Sequence, residues 1–259
     1  MNSTRREILR TPVACGLAAL AGAGLARGGN QGAAPGGKRA LAIFGDAWHC
    51  VAPLDQYLVA KLRTSGYVPV TIMDYNVPFD EFGKFDLIVM SRYGNDDVTF
   101  YRERDVDPSK KKRTPWLTAA QEQKFEDYVN GGGRLFFHHD GFTQYPKGRA
   151  ISRLAKAVFI KHPPAASCQV KPTDKMPMLT RGLQPFTITD EEFQVEMDES
   201  QTSVYLEGHS PQNGRTAQAW AHPYGKGKVA VFIPGHDRAV LSHEMVQRGI
   251  QNVIDWLKE

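Results

Sequence analysis

The sequence predicts an α/β domain built on a central, mainly parallel sheet. Short runs of consecutive apolar residues recur at 40–44, 87–90, 135–137 and 229–233. A strand with no polar face suits burial on both sides, as in a parallel sheet. Stretches with helical spacing lie between these runs. Three of the runs, the first, third and fourth, lead into loops that carry histidine and aspartate. Ligand sites in open α/β sheets sit there, beyond the carboxyl ends of the strands.

Residues 1–26 read as a twin-arginine-type signal peptide. Arg5 and Arg6 precede an apolar, Ala/Gly-rich stretch at 12–26 that ends in small residues. That stretch falls short of the roughly 20 apolar residues a bilayer span needs. An uncleaved anchor is the competing reading. Residues 27–37, rich in Gly, Ala, Asn and Gln, read as a flexible linker. The expectation is therefore an exported protein, periplasmic or extracellular, with no stable membrane span after processing. Its folded domain occupies 38–259.

Within that domain, 40–44 is a strand that ends at Gly45, Asp46, Trp48 and His49. Leu54, Leu58, Val59 and Leu62 give a helix over 54–64, stopped by Gly66, and 67–73 is rich in β-formers. After the strand at 86–91, residues 92–114 are polar and without period, either a lid or an insertion. Thr118, with Gln121 three residues on, forms a capping-box pattern for a helix carrying Phe125, Tyr128 and Val129. Gly131, Gly132 and Gly133 close that helix, and 134–137 is expected as an interior strand. The stretch 149–159 is amphipathic, with Ile151, Leu154, Ala155 and Val158 on one face. Residues 160–227 suit strands and loops at one edge of the sheet, among them an alternating strand at 186–193 that runs into Asp190, Glu191 and Glu192. A turn at 225–228, a buried strand at 229–233 and a helix at 242–257 complete the chain.

Composition narrows the function. The net charge of +4, half of it in residues 1–26, is no footprint for nucleic acid. The basic cluster at 110–113 reads as a solvated loop. Cys15 lies in the leader, so Cys50 and Cys168 remain, read as two buried thiols, with pairing in an oxidising compartment as the alternative. No GxSxG elbow, GxGxxG turn or phosphate loop is present. No serine-hydrolase chemistry, nucleotide or flavin is expected.

The chemistry gathers at strand ends. His49, His138 and His236 each follow a different expected strand, with Asp46, Asp140 and Asp237 beside them. With Glu191, the three histidines make a set of metal ligands suited to zinc or another first-row divalent ion. The same groups without metal serve as general acid and base. Three unrelated surface histidines are the bland alternative. Trp48, Tyr93, His139 and Asp140 are expected to bind substrate around the site. His162, His209, His222 and His243 lack the strand-end placement and read as surface or local packing residues.

The order of these motifs resembles the ThuA-like family, named for trehalose utilisation, in the class I glutamine amidotransferase-like superfamily. The parts are His49, GGGRLFFHH at 131–139, Gly182-Leu183, TDEEF at 189–193, Ala219-Trp220 and YGKGKVAVFIPGHD at 224–237. The resemblance covers residues 39–257. It implies a flavodoxin-like three-layer α/β/α sandwich and a link to carbohydrate metabolism. It places the family's histidine at His138, its acidic pair at Asp190 and Glu191, and its Gly-His at Gly235 and His236. Met176-Pro177 stands where the family often has His-Pro, and His139 and Asp140 replace small residues. The superfamily's nucleophilic cysteine has no counterpart, so no glutaminase activity is implied. Two readings follow. One is an enzyme acting on a sugar or oxidised (keto) sugar through His138, Glu191 and His236. The other is a non-catalytic carbohydrate-binding or accessory protein on the same scaffold.

Overall fold

A computed structural model describes residues 37–96 and 114–259. The signal-peptide reading and most of the expected lid, 97–113, lie outside these residues.

The strands are β1 (Lys38–Ile43), β2 (Tyr67–Ile72), β3 (Leu87–Met90), β4 (Arg134–His138), β5 (Ala157–Lys161), β6 (Ala166–Pro172), β7 (Phe186–Asp190), β8 (Gln194–Met197), β9 (Ser203–Ser210), β10 (Gly214–Tyr224) and β11 (Gly227–Phe232). The main sheet runs β2-β1-β3-β4-β11-β10-β9-β6-β7, and β5 pairs with β8 in a separate two-stranded sheet. From β2 to β11 all pairings are parallel. From β11 to β7 all are antiparallel. The interior position expected for 134–137 is observed, with β4 between β3 and β11.

The consecutive apolar runs now have a cause. Along β4, Phe136 joins one core layer, while Leu135 and Phe137 join the other. In β11, Ala230 and Phe232 pack on the first side, and Val229 and Val231 on the second. Side chains alternate across a strand, so a strand covered on both faces must be apolar at every position.

Two groups of helices cover the faces. On one side lie the helical run α1, continuous through Val51–Leu54, Asp55–Val59 and Ala60–Thr64, and the carboxy-terminal α6 (Glu244–Lys258). They contribute Leu54, Leu58, Leu62, Val246, Ile250 and Val253 to the core. On the other side, α2 (Ala119–Asn130) and α3 (Ala150–Ala155) contribute Phe125, Val129, Ile151 and Leu154. The capping box starts α2: Gln121 N–H donates to Thr118 Oγ1, and Thr118 N–H donates to Gln121 Oε1. Among the described residues there are also two short α-helices, α4 (Pro177–Thr180) and α5 (Arg238–Ser242).

Two expectations need correction. The amphipathic stretch 149–159 is helical only to Ala155. Lys156 takes φ of +51°, which breaks the helix, and Val158 then belongs to strand β5 rather than to a helix face. Of the two cysteines read as buried, Cys168 is buried but Cys50 is exposed.

The topology gathers loops on one edge. Register pairs Ile43 with Met90 and Phe232 with His138, so the exits of β1, β3, β4 and β11 lie side by side. The β10–β9 ladder is irregular between Ala217 and Trp220, and Ile233 N–H donates to Gln218 O at 2.9 Å. The end of β7 returns to the same edge: Asp190 Oδ2 accepts from Gly235 N–H at 2.9 Å.

Candidate functional site

The loop after β1 positions His49. Asp46 Oδ1 accepts from the backbone N–H of Trp48 at 2.9 Å and of His49 at 3.0 Å. The same oxygen takes the imidazole Nδ1–H of His49 at 2.8 Å. A carboxylate only accepts, so the proton sits on Nδ1 and the lone pair on Nε2. Asp140 Oδ2 flanks that N–H at 3.5 Å. Burial opposes charge on His49, but Asp140 and Asp46 prevail and raise its pKa above the usual value.

His139 is set by the same logic from another strand. It leaves β4 with φ of +48°. Its Nδ1–H donates to Ile233 O at 2.7 Å, so in the neutral ring the lone pair sits on Nε2, toward Glu191. Glu191 follows β7, its N–H held by Asp190 Oδ1 at 2.9 Å. Glu191 Oε2 lies 3.6 Å from His139 Nε2 and 3.5 Å from His236 Nδ1. Glycine makes the close packing of these loops possible. A Cβ on Gly94 would stand 2.8 Å from Gln144 C and O, and one on Gly141 would collide with Met90 O.

Four residues converge: His49, His139, Glu191 and His236 offer ligand atoms that all lie within 4.8 Å of one another. The ring centroid of His49 is 4.8 Å from that of His139 and 5.1 Å from that of His236. His49 Nε2, His139 Nε2 and His236 Nδ1 are buried and make no hydrogen bond among the described residues. Three imidazole nitrogens and a carboxylate are a donor set that could hold zinc or another first-row divalent ion. The second hydrogen bonds of His49 and His139 are those that orient ligating imidazoles. Asp46, His49 and Asp140 form an adjoining acidic group.

The electrostatics fit a concentrated site. Burial opposes charge on His139, yet Glu191, Asp140 and Asp190 around it raise its pKa to about 9. Burial likewise opposes charge on Glu191, but the histidines beside it lower its pKa to about 2. Asp140 is pushed up to about 6, chiefly by burial. Burial lowers His236.

Of the residues expected at the site, His49, Glu191 and His236 are brought together. His138 is not. It is fully buried, its Nδ1 is 3.1 Å from Ser91 Oγ, and its Nε2 edge packs on Gly235. His139, expected as a wall, occupies the place expected for His138. Asp237 caps α5, accepting from Val240 N–H at 2.9 Å.

A cavity of about 350 Å³ opens over the cluster, lined by His49, Asp140, Glu191 and His236 with aromatic walls. Trp48 and Tyr93 line it as expected, Trp48 being 56% exposed at the rim. Phe159, Phe193 and His162 line it unforeseen. His162 Nδ1 lies 3.6 Å from Glu191 Oε1. It follows β5 directly, and the helical reading of 149–159 hid that strand end.

The family model described as trehalose utilisation, ThuA, matches residues 71–257. A protein from Bacteroides uniformis described as ThuA-like superimposes with a TM-score of 0.63 at 16% identity, over 85% of this chain and 91% of that one. A ThuA-like protein from Parabacteroides merdae gives 0.65 at 14% identity, over 85% and 90%. A β-galactosidase from Rahnella sp. R3 gives 0.55 at 10% identity, over 84% of this chain and 31% of that one. At such identities the likeness is one of fold. No curated protein matches the chain.

Proposed function

The chain belongs to the ThuA family, and from that premise we propose that it is an exported enzyme acting on a sugar or keto sugar at the His49–His139–Glu191–His236 cluster. The observation that carries the reading is the convergence of these four donors within 4.8 Å, three of them, His49, Glu191 and His236, lining an aromatic-walled cavity. Their chemistry suits a divalent metal, held by His49 Nε2, His139 Nε2, His236 Nδ1 and a Glu191 oxygen. Such an ion, when bound, polarises a carbonyl or activates water.

The chain's own residues supply the rest. Asp46 and Ile233 O hold the tautomers of His49 and His139 that aim lone pairs inward. Trp48 and Tyr93 offer apolar faces on which a sugar ring can lie. Asp140, bordering the cavity, is placed to take a hydroxyl. Phe159 and Phe193 add apolar wall to the cavity. The test is metal analysis of the purified protein, followed by binding of candidate keto sugars to wild type and Trp48→Ala. Stoichiometric metal with sugar binding weakened by Trp48→Ala is expected. A metal-free protein indifferent to sugars defeats the reading.

The 3.6 Å approach of His139 Nε2 to Glu191 Oε2 favours a second reading, metal-free acid–base chemistry by that pair. Full turnover after exhaustive chelation selects it. Export rests on Arg5 and Arg6, and among the described residues no helix is long and apolar enough to cross a membrane. Replacing both arginines with lysine should trap the precursor in the cytoplasm, and unchanged export rejects the twin-arginine route.

A further inference from the structure

Strand β4 ends at His138 and His139 follows it; of the two, His139 alone joins the cluster. His138 stands behind it. A Cβ built on Gly235 would lie 2.6 Å from both Nε2 and Cε1 of His138, closer than a real Cβ approaches its neighbours. Gly235 does not have the left-handed backbone that excludes other residues; its φ lies outside that region. The His138 ring, not the backbone conformation, is what requires glycine there.

Gly235 immediately precedes His236. Its N–H donates to Asp190 Oδ2 at 2.9 Å, while Asp190 Oδ1 accepts from Glu191 N–H at 2.9 Å. Two residues before Gly235, Ile233 O takes the His139 Nδ1–H at 2.7 Å. With Ile233 N–H bonded to Gln218 O at 2.9 Å, the turn is thus tied by three hydrogen bonds and backed by one ring. The ring is itself held, since His138 is fully buried, its Nδ1 sits 3.1 Å from Ser91 Oγ, and the Phe136 ring lies edge-on with centroids 6.0 Å apart.

We propose that His138 is a positioning residue whose ring is the backstop for the Gly235 turn and so aims His236 at the centre shared with His49, His139 and Glu191. This rests on reading those four as one metal-holding cluster. A ligand role for His138 does not fit, because one ring edge faces Ser91 and the other is covered by Gly235. The relationship is steric and reciprocal: a methyl group at 235 and the ring at 138 compete for one space.

The test uses the full chain, stripped of metal and titrated with Co2+ alone. The variants are Gly235→Ala, His138→Ala, the double substitution, and His139→Ala as a ligand-loss control. Gly235→Ala should weaken Co2+ binding by about 10–100-fold, the effect of disturbing groups that orient ligands, and change the visible Co2+ spectrum. Adding His138→Ala should restore most of the affinity and the spectrum. His138→Ala alone should still bind Co2+, whereas His139→Ala should not. Two results overturn the proposal: His138→Ala abolishing binding as fully as His139→Ala, or Gly235→Ala causing the same loss with and without His138. If Gly235→Ala does not fold, the double variant must, and its failure also overturns the proposal. If wild type takes up no Co2+, the metal reading falls and the backstop is judged alone, by urea midpoints of the four-member cycle and the imidazole 15N shifts of His236. Non-additive midpoints, with shifts moved by Gly235→Ala and returned in the double variant, support it; additive midpoints and unmoved shifts overturn it.

Discussion

His138 and His139 are chain neighbours with ring centroids 6.4 Å apart, and they serve opposite sides of one turn. His138 keeps the strand's alternation and shares a side with Phe136. His139 leaves the strand with φ of +48° and packs on Phe193, centroids 4.9 Å apart. His139→Ala should therefore abolish metal uptake and leave Ile233 O without its buried donor. The expected stability loss is about 1–3 kcal/mol, the cost of an unsatisfied buried polar group. Metal analysis and urea unfolding check both halves. A variant that keeps its metal removes His139 from the ligand set.

This pair also marks how far the sequence could be read. The parallel half of the sheet was legible because burial on both faces demands consecutive apolar residues, as at 135–137 and 229–233. The strand-exit position of His49 and His236 was legible for the same reason. Which of two adjacent histidines enters the site was not, since it depends on one backbone angle outside the strand region. His162 was hidden by a helix-like pattern whose breaker, Lys156, is not glycine. Glu191 reaches the same edge through the pairing of β7 with β6 and of β6 with β9, long-range contacts that no local residue pattern announces.

The loop that carries His139 is seated on the end of β3 through Gly141. A Cβ there would collide with the carbonyl of Met90, a backbone group that cannot step aside. Gly141→Ala should cost at least the ~1–3 kcal/mol typical of overpacking, and it should displace His139 and Asp140 from the cluster. Thermal unfolding together with metal affinity is the check. A variant as stable as wild type would show that the loop has room to shift.

Asp46 acts on the site through His49. Asp46→Asn keeps an oxygen for the backbone N–H groups of Trp48 and His49, so the turn should persist. It removes the negative charge that holds the proton on His49 Nδ1. Metal affinity should fall by about 10–100-fold with little change in stability, as for other groups that orient metal-bound histidines. Calorimetric titration with zinc and urea unfolding separate the two. Equal affinity in Asp46→Asn would place Asp46 in the turn alone.

The charged pair at the centre predicts how stability and metal binding follow pH. In the metal-free protein His139 is held near a pKa of about 9, above its ordinary 6.5. Its contribution is complete below pH 6.5 and is lost as pH rises through about 9. Glu191, held near about 2 against an ordinary 4.5, contributes above pH 4.5 and loses that contribution as pH falls through about 2. Asp140, raised to about 6 from 3.8, favours the folded state at low pH, and that advantage is gone above about 6. Together these three groups place the metal-free optimum near about pH 4, where the Glu191 contribution is nearly complete and the Asp140 contribution has only begun to fall. Metal binding shifts the balance, because a ligating imidazole must give up its proton. Displacing the His139 proton makes affinity rise by up to about tenfold per pH unit below its pKa. The gap in melting temperature between zinc-loaded and chelator-treated protein should therefore widen from about pH 5.5 to 8. A constant gap across that range would mean that no proton leaves His139 when metal enters, and the cluster would not be a ligand set that includes it.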